Sequence, residues 1–578
     1  MKHLLWSAVG TVLLGAGVVF AVGALEQAAK PKPELPGLLP EGALLYLEAK
    51  DLGSLLQDWN TSEEKRAWFG SDNHAAFSTS RLFGRLSQAQ DEFSAAAGIP
   101  TDSSLLEKVA GKESCLGLYD IGNLEFVYVT RLDQREIENT PLWQTRGKFE
   151  QRTEAGTAFY VHKDAQSSRT AAFAARDGWL ILGTREDLVA GVLDRLQGAS
   201  SHSLSGEGWY AEAVQQAPGE RGDLRTVLNL DKIVPSPYFR SYWIERNITE
   251  MKQYAAAVSD LVRTPQSYRE ERVLVRHAGL AATAQGDVRA LSALAPEDAA
   301  FYAAQASPSP ESVLQSLRDN LLEAKPEQPR APAWSAPQTV PAENAGSAAQ
   351  LDVPIDRAPV AVQQADAYQS LRTLLRVQQP DALLEVYSTR APQDGVFVSL
   401  QTAVVLTAPE DWDEESVTQA LSSALLPGLT AGKLGVHWER RSIAAEKVLA
   451  LDGAVPLFVL VNGKQLLLAN DRILLEKMLA QRQKSIPAAG KDSVTYSALF
   501  RHTQEQGNFR LLMTQLDRAG HRGGTGQQGE SAGGQTPAFF SGNVASFSRV
   551  FSKMEQERIE EKDLGSKVMQ TVTYQWAR

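Results

Sequence analysis

The sequence predicts an α+β protein in which two related modules, with mainly antiparallel sheets and packed helices, follow one N-terminal transmembrane helix. Three observations predict this class: an uncharged apolar run near the N-terminus, strand–turn–helix units that recur in the same order, and neighbouring strands joined by short turns. Helices are interspersed without strict alternation, which favours α+β over a doubly wound parallel sheet. Of the 578 residues, 43% are hydrophobic and 22% are charged, which excludes a wholly disordered chain.

The apolar run extends from Leu4 to Leu25 and contains no charged residue over 22 positions. As a helix it would span ~33 Å, about one bilayer core. We expect a signal anchor, with residues 1–3 as a short cytoplasmic N-terminus and the bulk of this single-pass protein outside the inner (cytoplasmic) membrane. Small residues at 22–24 leave cleavage as the alternative. Three prolines then predict a stiff tether over residues 26–38.

The chain resembles itself along its length. Three pairs of segments match in the same order: 39–46 with 295–302, 179–184 with 465–470, and 224–228 with 509–513. Unrelated α+β halves share strand–turn–helix units but would not keep their order and spacing. The matches therefore predict an internal repeat, with a first module at 39–290 and a second at 291–578.

Each module is expected to place an amphipathic helix after its first strand. The apolar positions follow the i, i+3, i+4, i+7 spacing of a single helical face in both copies, at Leu52, Leu55, Leu56 and Trp59 and at Val313, Leu314, Leu317 and Leu321. Asp51 precedes the first helix and Ser309 the second, as N-cap residues do. Later in the modules, Thr184 and Asn470 are expected to cap the helices that follow the second matched strands.

Within the modules the strands are expected to be antiparallel. Segments 115–119 and 124–132 form a predicted hairpin, and segments 397–406, 447–451, 457–462 and 465–469 form a predicted meander. Asp177-Gly178 and Asn462-Gly463 are hairpin-turn dipeptides. The alternation over 567–576 predicts a terminal strand. Residues 324–365, rich in Pro, Ala and Gln, and residues 520–537, rich in Gly and Gln, are expected to be disordered insertions in the second module.

The sequence offers no cluster of residues that predicts catalysis. The net charge is −11 and no basic run occurs, which argues against nucleic acid as a ligand. The single cysteine, Cys115, lies in an apolar strand and is expected to be a small buried residue. Eight scattered histidines support no metal site, and no nucleotide or serine hydrolase motif occurs. We therefore expect no cofactor, metal or catalytic residue, and we favour a non-enzymatic protein while leaving activity open.

A group of aromatic residues in the first module is the first place to look for a ligand. Its members are Trp209, Tyr210, Tyr238, Phe239, Tyr242 and Trp243. They could line a groove for a peptide, a glycan or a lipid. The alternative is that they form core beneath a long loop.

The opening of the expected body resembles that of uncharacterised bacterial envelope proteins that carry a domain of unknown function. The resemblance rests on segment 39–48, Leu-Pro-Glu-Gly-Ala-Leu-Leu-Tyr-Leu-Glu, and on segments 118–126 and 179–182. It implies a bacterial, membrane-anchored, exported protein and supplies no catalytic residue.

We expect a periplasmic binding or scaffolding protein of the cell envelope, with an envelope protein, lipid or glycan as partner. The alternatives are an envelope hydrolase whose site is assembled from dispersed residues, and a lipid or lipoprotein carrier with an apolar cavity. The oligomeric state stays open.

Overall fold

The computed structural model describes residues 34–70, 74, 77–198, 202–217, 219, 221–237, 251–280, 282, 284–322, 367–390, 399–429, 437–451, 456–484, 493–503 and 554–576. Within these ranges, no helix is long and apolar enough to cross a bilayer. The apolar run at 4–25 and both expected insertions lie outside the described residues. The described residues divide into two compact units, one of residues 34–48 and 92–211 and the other of residues 49–91 and 212–576.

Twenty strands are described, and they are numbered here in chain order. They are β1 (Leu45–Asp51), β2 (Lys112–Asp120), β3 (Glu125–Arg131), β4 (Glu150–Glu154), β5 (Thr157–Lys163), β6 (Thr170–Arg176), β7 (Trp179–Gly183), β8 (Leu224–Asn229), β9 (Tyr254–Arg263), β10 (Ser267–Arg276), β11 (Phe301–Ala306), β12 (Ala382–Arg390), β13 (Ser399–Thr407), β14 (Glu439–Ile443), β15 (Glu446–Leu451), β16 (Leu457–Asn462), β17 (Gln465–Ala469), β18 (Tyr496–Arg501), β19 (Met554–Asp563) and β20 (Lys567–Trp576).

The helices are numbered in the same way. They are α1 (Leu35–Leu38), α2 (Leu52–Thr61), α3 (Glu63–Phe69), α4 (Arg81–Ala97), α5 (Ser103–Val109), α6 (Gln134–Glu138), α7 (Pro141–Thr145), α8 (Glu186–Gln197), α9 (Gly208–Gln216), α10 (Leu230–Ile233), α11 (Arg289–Ser292), α12 (Pro310–Leu317), α13 (Gln369–Gln378), α14 (Glu414–Leu429) and α15 (Arg472–Lys484). A π-helical turn, Arg318–Leu322, continues α12.

Antiparallel pairing dominates both units, so the expected α+β class with antiparallel sheets is confirmed. In the first unit the strands pair in the order β2-β3-β7-β6-β5-β4. In the second unit the order is β8-β9-β10-β20-β19-β18-β11-β12-β13-β17-β16-β15-β14. The order of β2 to β7 recurs in β12 to β17, and the order β8-β9-β10 recurs in β18-β19-β20.

The expected hairpin is present as β2 and β3, and the expected terminal strand is β20. Of the expected meander, β15, β16 and β17 pair in sequence, but β13, the strand at 399–407, pairs with β17 and not with β15. The turn between β6 and β7 uses Asp177 and Gly178, both with positive φ, as a hairpin dipeptide should. In the second copy β16 includes Asn462, so the turn falls one residue later than expected, at Gly463 and Lys464. Segment 509–513 lies outside the described residues, and the strand that pairs with β19 is β18.

Thr184 and Asn470 do not cap the helices that follow them, contrary to the sequence-based expectation. The N-cap of α8 is Arg185, and at the start of α15 the carboxylate of Asp471 accepts a hydrogen bond from Leu474 N at 2.8 Å. Thr184 Oγ1 instead accepts from Phe126 N at 2.8 Å, and Asn470 Oδ1 accepts from Thr402 N at 2.7 Å. In both copies the polar residue therefore ties the end of a strand to the neighbouring strand.

The C-terminal part of the second unit has a core on each face of its sheet. On one face, buried side chains of β12, β13 and β17 pack with α11 and α15. On the other face, they pack with α12, α13, α14 and the π-helical turn. The apolar stripe of α12 is fully enclosed there, because Val313, Leu314 and Leu317 are each at most 3% exposed.

The last residues of the expected tether form the short helix α1. Pro36 lies in its first turn, where a missing N–H costs nothing because that group has no helical partner. Leu35 and Leu38 are buried. The folded body therefore begins before residue 39, and any tether is shorter than the sequence suggested.

Candidate functional site

The aromatic group expected from the sequence is only partly described. Tyr238, Phe239, Tyr242 and Trp243 lie outside the described residues. Trp209 and Tyr210 lie on α9, with their rings 5.8 Å apart in an edge-to-face arrangement. Tyr210 is buried and also meets Tyr46 edge-to-face at 5.5 Å, so its ring is core and does not line an open groove. Trp209 is half-buried, and its Nε1 has no hydrogen-bond partner among the described residues.

Tyr46 lies in a closed polar group inside the first unit. Its hydroxyl donates to Glu48 Oε2 at 2.7 Å. Burial raises the pKa of Tyr46, and burial also raises the pKa of Cys115. Cys115 is 0% exposed, which confirms that this thiol is a small buried strand residue. A group this enclosed stabilises the fold and offers no surface to a ligand.

An open arrangement of polar groups lies in the second unit, on one face of β9, β10, β20 and β19. The register pairs Arg272 with Ser259 on β9 and with Gln570 on β20, and it pairs Gln570 with Glu561 on β19. Residues directly opposite in antiparallel strands project from the same face, and so do residues two apart on one strand, such as Glu270 and Arg272. These five residues therefore share one face, and we call them the polar ladder.

Hydrogen bonds connect the polar ladder across all four strands. Ser259 Oγ donates to Glu270 Oε1 at 2.5 Å, and Arg272 Nη2 donates to Glu270 Oε2 at 2.6 Å. Arg272 Nη1 donates to Gln570 Oε1 at 3.0 Å, and Gln570 Nε2 donates to Glu561 Oε2 at 3.4 Å. All five residues are half-buried. The connected bonds hold these side chains in fixed positions before any partner arrives.

Further acidic and aromatic side chains extend this face beyond the polar ladder. Tyr574 pairs with Glu557 across β20 and β19, and Glu561 pairs with Tyr496 across β19 and β18. Burial raises the pKa of Tyr496, and the carboxylates of Glu561, Glu385 and Glu557 raise it further. The face therefore combines tyrosine rings with several carboxylates.

The same face continues to β12, where a second polar group lies beneath the π-helical turn. Asn320 Nδ2 donates to Glu385 Oε1 at 3.1 Å and to Tyr387 Oη at 2.9 Å. Ser316 also donates to Glu385. Burial raises the pKa of Tyr387. Glu385 thus accepts hydrogen bonds from two side chains, which fix its position at the border of the face.

The carboxylates of the face titrate differently because their partners differ. Burial raises the pKa of Glu557, and burial raises that of Glu561 more than its bond from Gln570 lowers it. Burial also acts on Glu270, but hydrogen bonds from Arg272 and Ser259 outweigh it, so the pKa of Glu270 falls. Nearby, burial lowers the pKa of His502 to about 4, which keeps that ring neutral at physiological pH.

Neither of two recesses elsewhere matches the apolar cavity of a lipid carrier. An open cleft of about 330 Å³ in the first unit is lined by charged residues, among them Arg152, Glu154 and Glu186. A space of about 10 Å³ beside Leu294 and Arg482 is about the size of one water molecule. Across the described residues, no group of three or more His, Cys, Asp or Glu side chains could hold a metal ion.

Sequence reasoning missed the polar ladder. Its residues come from segments about 300 positions apart in the chain, and Arg272 and Gln570 meet only because β10 pairs with β20. The signal that the sequence does contain is the polar composition of segments 268–272, Tyr-Arg-Glu-Glu-Arg, and 570–574, Gln-Thr-Val-Thr-Tyr.

No protein-family model matches the chain, and no curated protein matches it. Among solved structures, crystal form I of TP0453 is similar over 43% of this chain and 81% of that chain, at 11% sequence identity and a TM-score of 0.23. A TM-score this low does not indicate a shared fold. The function has to be inferred from the residues of this chain.

Proposed function

We propose that the protein is a membrane-anchored, extracytoplasmic binding or scaffolding protein of the bacterial cell envelope. Residues 4–25 serve as the anchor, and the polar ladder with its neighbouring tyrosines and carboxylates binds the partner. The observation that carries the proposal is the ladder itself, a hydrogen-bonded chain of half-buried polar groups across four strands. Partly buried polar groups fixed in advance bind at a lower entropic cost than mobile surface groups.

The charges on this face favour a basic partner. Arg272 Nη2 donates to Glu270 Oε2 at 2.6 Å, while Glu557 and Glu561 lie next to Tyr574 and Tyr496. Burial raises the pKa of both of these acids more than Arg272 lowers that of Glu557 and Arg276 lowers that of Glu561, so a further cation would stabilise their charged forms. Carboxylates beside aromatic rings suit Lys or Arg side chains, which form charge-assisted hydrogen bonds and stack on tyrosine. A protein partner that presents a basic segment is therefore preferred over a neutral glycan.

Substitution on the two faces of β19 tests the binding face. Crosslinking of intact envelope should recover a partner with the wild-type chain and lose it with Glu557→Gln/Glu561→Gln. The matched control is Glu560→Gln, because Glu560 neighbours Glu561 on the same strand but projects from the opposite face. Equal recovery by all three chains contradicts the proposed binding face.

The pH dependence of partner recovery gives a second test. Burial raises the pKa of Glu557 and Glu561, so as pH falls these carboxylates lose their charge at a higher pH than an ordinary glutamate, whose pKa is about 4.3. Binding of a basic partner should weaken over the pH range above that value. The same titration with Glu557→Gln/Glu561→Gln should be flat, and a wild-type profile equally flat contradicts a role for these charges.

The second candidate function is an envelope hydrolase. The raised pKa of Glu557 and Glu561 supports it, because a general acid needs a carboxyl group that stays protonated. Burial accounts for both shifts without catalysis, which is why binding is the leading proposal. Hydrolysis of an envelope polymer by the wild-type chain, abolished in Glu561→Gln but not in Glu560→Gln, would establish the second candidate.

We also propose that the body arose by internal duplication, with modules at 39–290 and 291–578. The repeated pairing orders support it, and so does the shared bond from Thr184 and Asn470 to a neighbouring strand. Duplication explains why the polar ladder forms between β10 and β20, the last strand of each module.

A further inference from the structure

The apolar stripe of α2 is only partly covered in the part of the chain that the structure describes. Leu52, Leu55 and Leu56 are half-buried, and Trp59 is 43% exposed. No residue of this helix is buried. The helix is nevertheless well built, because Asp51 Oδ1 accepts a hydrogen bond from Ser54 N at 2.9 Å as its N-cap. An amphipathic helix normally turns such a stripe toward a core, so the exposed part of this stripe is open to a further contact.

Exposed apolar side chains recur among the described residues of 52–90, a stretch that we call the aromatic segment. Phe69 is 54% exposed and Leu86 is 43% exposed. Between them, Phe77 contacts Trp68 at 6.2 Å and Phe83 at 5.6 Å between ring centroids. Three large apolar side chains, Trp59, Phe69 and Leu86, are thus exposed within one stretch of chain, where the other described aromatic rings are half-buried. Exposed apolar side chains grouped in this way mark a candidate contact surface.

We infer that the aromatic segment lies in the interface of the lipid bilayer that holds the anchor. Trp side chains are favoured at the level of the lipid headgroups, where an apolar ring and a polar N–H are both accommodated, and Phe and Leu occur on the apolar face of helices that lie in the bilayer interface. The segment carries four acidic and four basic residues, at Asp58, Glu63, Glu64, Asp72, Lys65, Arg66, Arg81 and Arg85. Because the positive and negative charges of the segment are equal in number, its contact with a bilayer does not depend on a strongly anionic lipid.

The chain length brings the bilayer within reach. This inference rests on the proposed anchor at residues 4–25. Eight residues separate Leu25 from Glu34, the first described residue, and they span at most about 30 Å. The body is thereby kept at the membrane surface at a high effective concentration, so that a few interfacial side chains suffice for stable contact.

Tryptophan emission from the full chain in vesicles tests this inference. The vesicles contain equal parts of phosphatidylethanolamine and phosphatidylglycerol, with bromine atoms on the acyl chains near the headgroups as quencher. Trp6 lies inside the anchor run, so all chains carry Trp6→Phe. We expect lipid quenching in this background and loss of most of it when Trp59→Phe and Trp68→Phe are added. The matched control adds Trp143→Phe, a half-buried tryptophan of α7, and should leave the quenching unchanged.

The outcomes separate this inference from the proposed anchor. If the chain does not float with the vesicles, both the anchor and this inference fail. If it floats but quenching does not depend on Trp59 and Trp68, the anchor stands and this inference is overturned. Shielding of Trp59 from a water-soluble quencher without any lipid quenching would also overturn it, since a second copy or another protein would then cover the segment.

Discussion

Helices α2 and α12 have the same sequence pattern and opposite environments. Each follows the first strand of its proposed module, begins at a capping side chain and carries an apolar stripe at helical spacing. In α12 the stripe is enclosed, with Leu317 at 1% exposure, whereas in α2 no side chain is buried and Trp59 is 43% exposed. The pattern therefore predicts an apolar face but does not say what covers it.

The cover over α12 comes from its neighbours in the second unit. Helices α13 and α14 and the π-helical turn pack with it on β12, β13 and β17. The corresponding stretch after α2 contains α3 and the start of α4, which carry exposed Phe69 and Leu86. In the second proposed module, helices cover α12 on its sheet. In the first, the corresponding helix α2 belongs to the aromatic segment, which we assign to the bilayer interface.

The largest expected effect on the free energy of unfolding comes from breaking a buried ion pair, in comparison with an exposed one on α2. Arg276 and Asp563 form an ion pair with both side chains at most 3% exposed, whereas Asp58 of α2 is 56% exposed and lies 2.5 Å from Arg263. Asp563→Ala should lower the free energy of unfolding by about 3–5 kcal/mol, because it leaves a buried cation without its partner. Asp58→Ala should lower it by about 0–1 kcal/mol. Urea unfolding of both variants measures the difference, and equal losses contradict it.

The next effect compares the two apolar stripes directly. Leu317→Ala should destabilise the protein by about 2–5 kcal/mol, because it opens a cavity in a closed core. Leu56→Ala in α2 should cost under about 1 kcal/mol in urea unfolding, because that side chain is only half-buried. A cost for Leu56→Ala as large as that for Leu317→Ala would mean that the folded protein covers α2.

The smallest effect concerns the helix caps. Ser309 Oγ accepts from Ser312 N at 3.1 Å, and its loss in Ser309→Ala should cost about 1 kcal/mol of global stability. Asp51→Ala removes an equivalent bond from α2 but should mainly increase local fraying, because little of the core depends on that helix. Native-state hydrogen exchange distinguishes the two variants. Asp51→Ala should accelerate amide exchange in α2 and nowhere else, whereas Ser309→Ala should accelerate exchange across the whole protein.

The sequence identified many local elements because their signals are local. The Asp177-Gly178 turn, the alternation of β20 and the apolar stripe of α12 each depend on residues within one turn or one strand. It also located Cys115 in a buried strand. These predictions needed only backbone geometry and hydrophobic period.

Features that depend on distant pairing were missed. The cap positions were misplaced because Thr184 and Asn470 satisfy strand neighbours that the sequence does not reveal. The polar ladder requires β10 to pair with β20, and these two strands lie about 300 residues apart in the chain. Half-buried polar groups such as Gln570 look like ordinary surface residues until that register is known.

The most direct test of the contrast between the helices is hydrogen exchange of the full chain in vesicles, with α12 as the internal reference. The wild-type chain is compared with Trp59→Ser/Phe69→Ser, which removes the two most exposed aromatic side chains of the aromatic segment. We predict that α2 amides exchange slowly in the wild-type chain and markedly faster in the variant, while α12 amides are unchanged. Equally fast exchange of α2 in both chains would contradict the assignment of its apolar stripe to the bilayer.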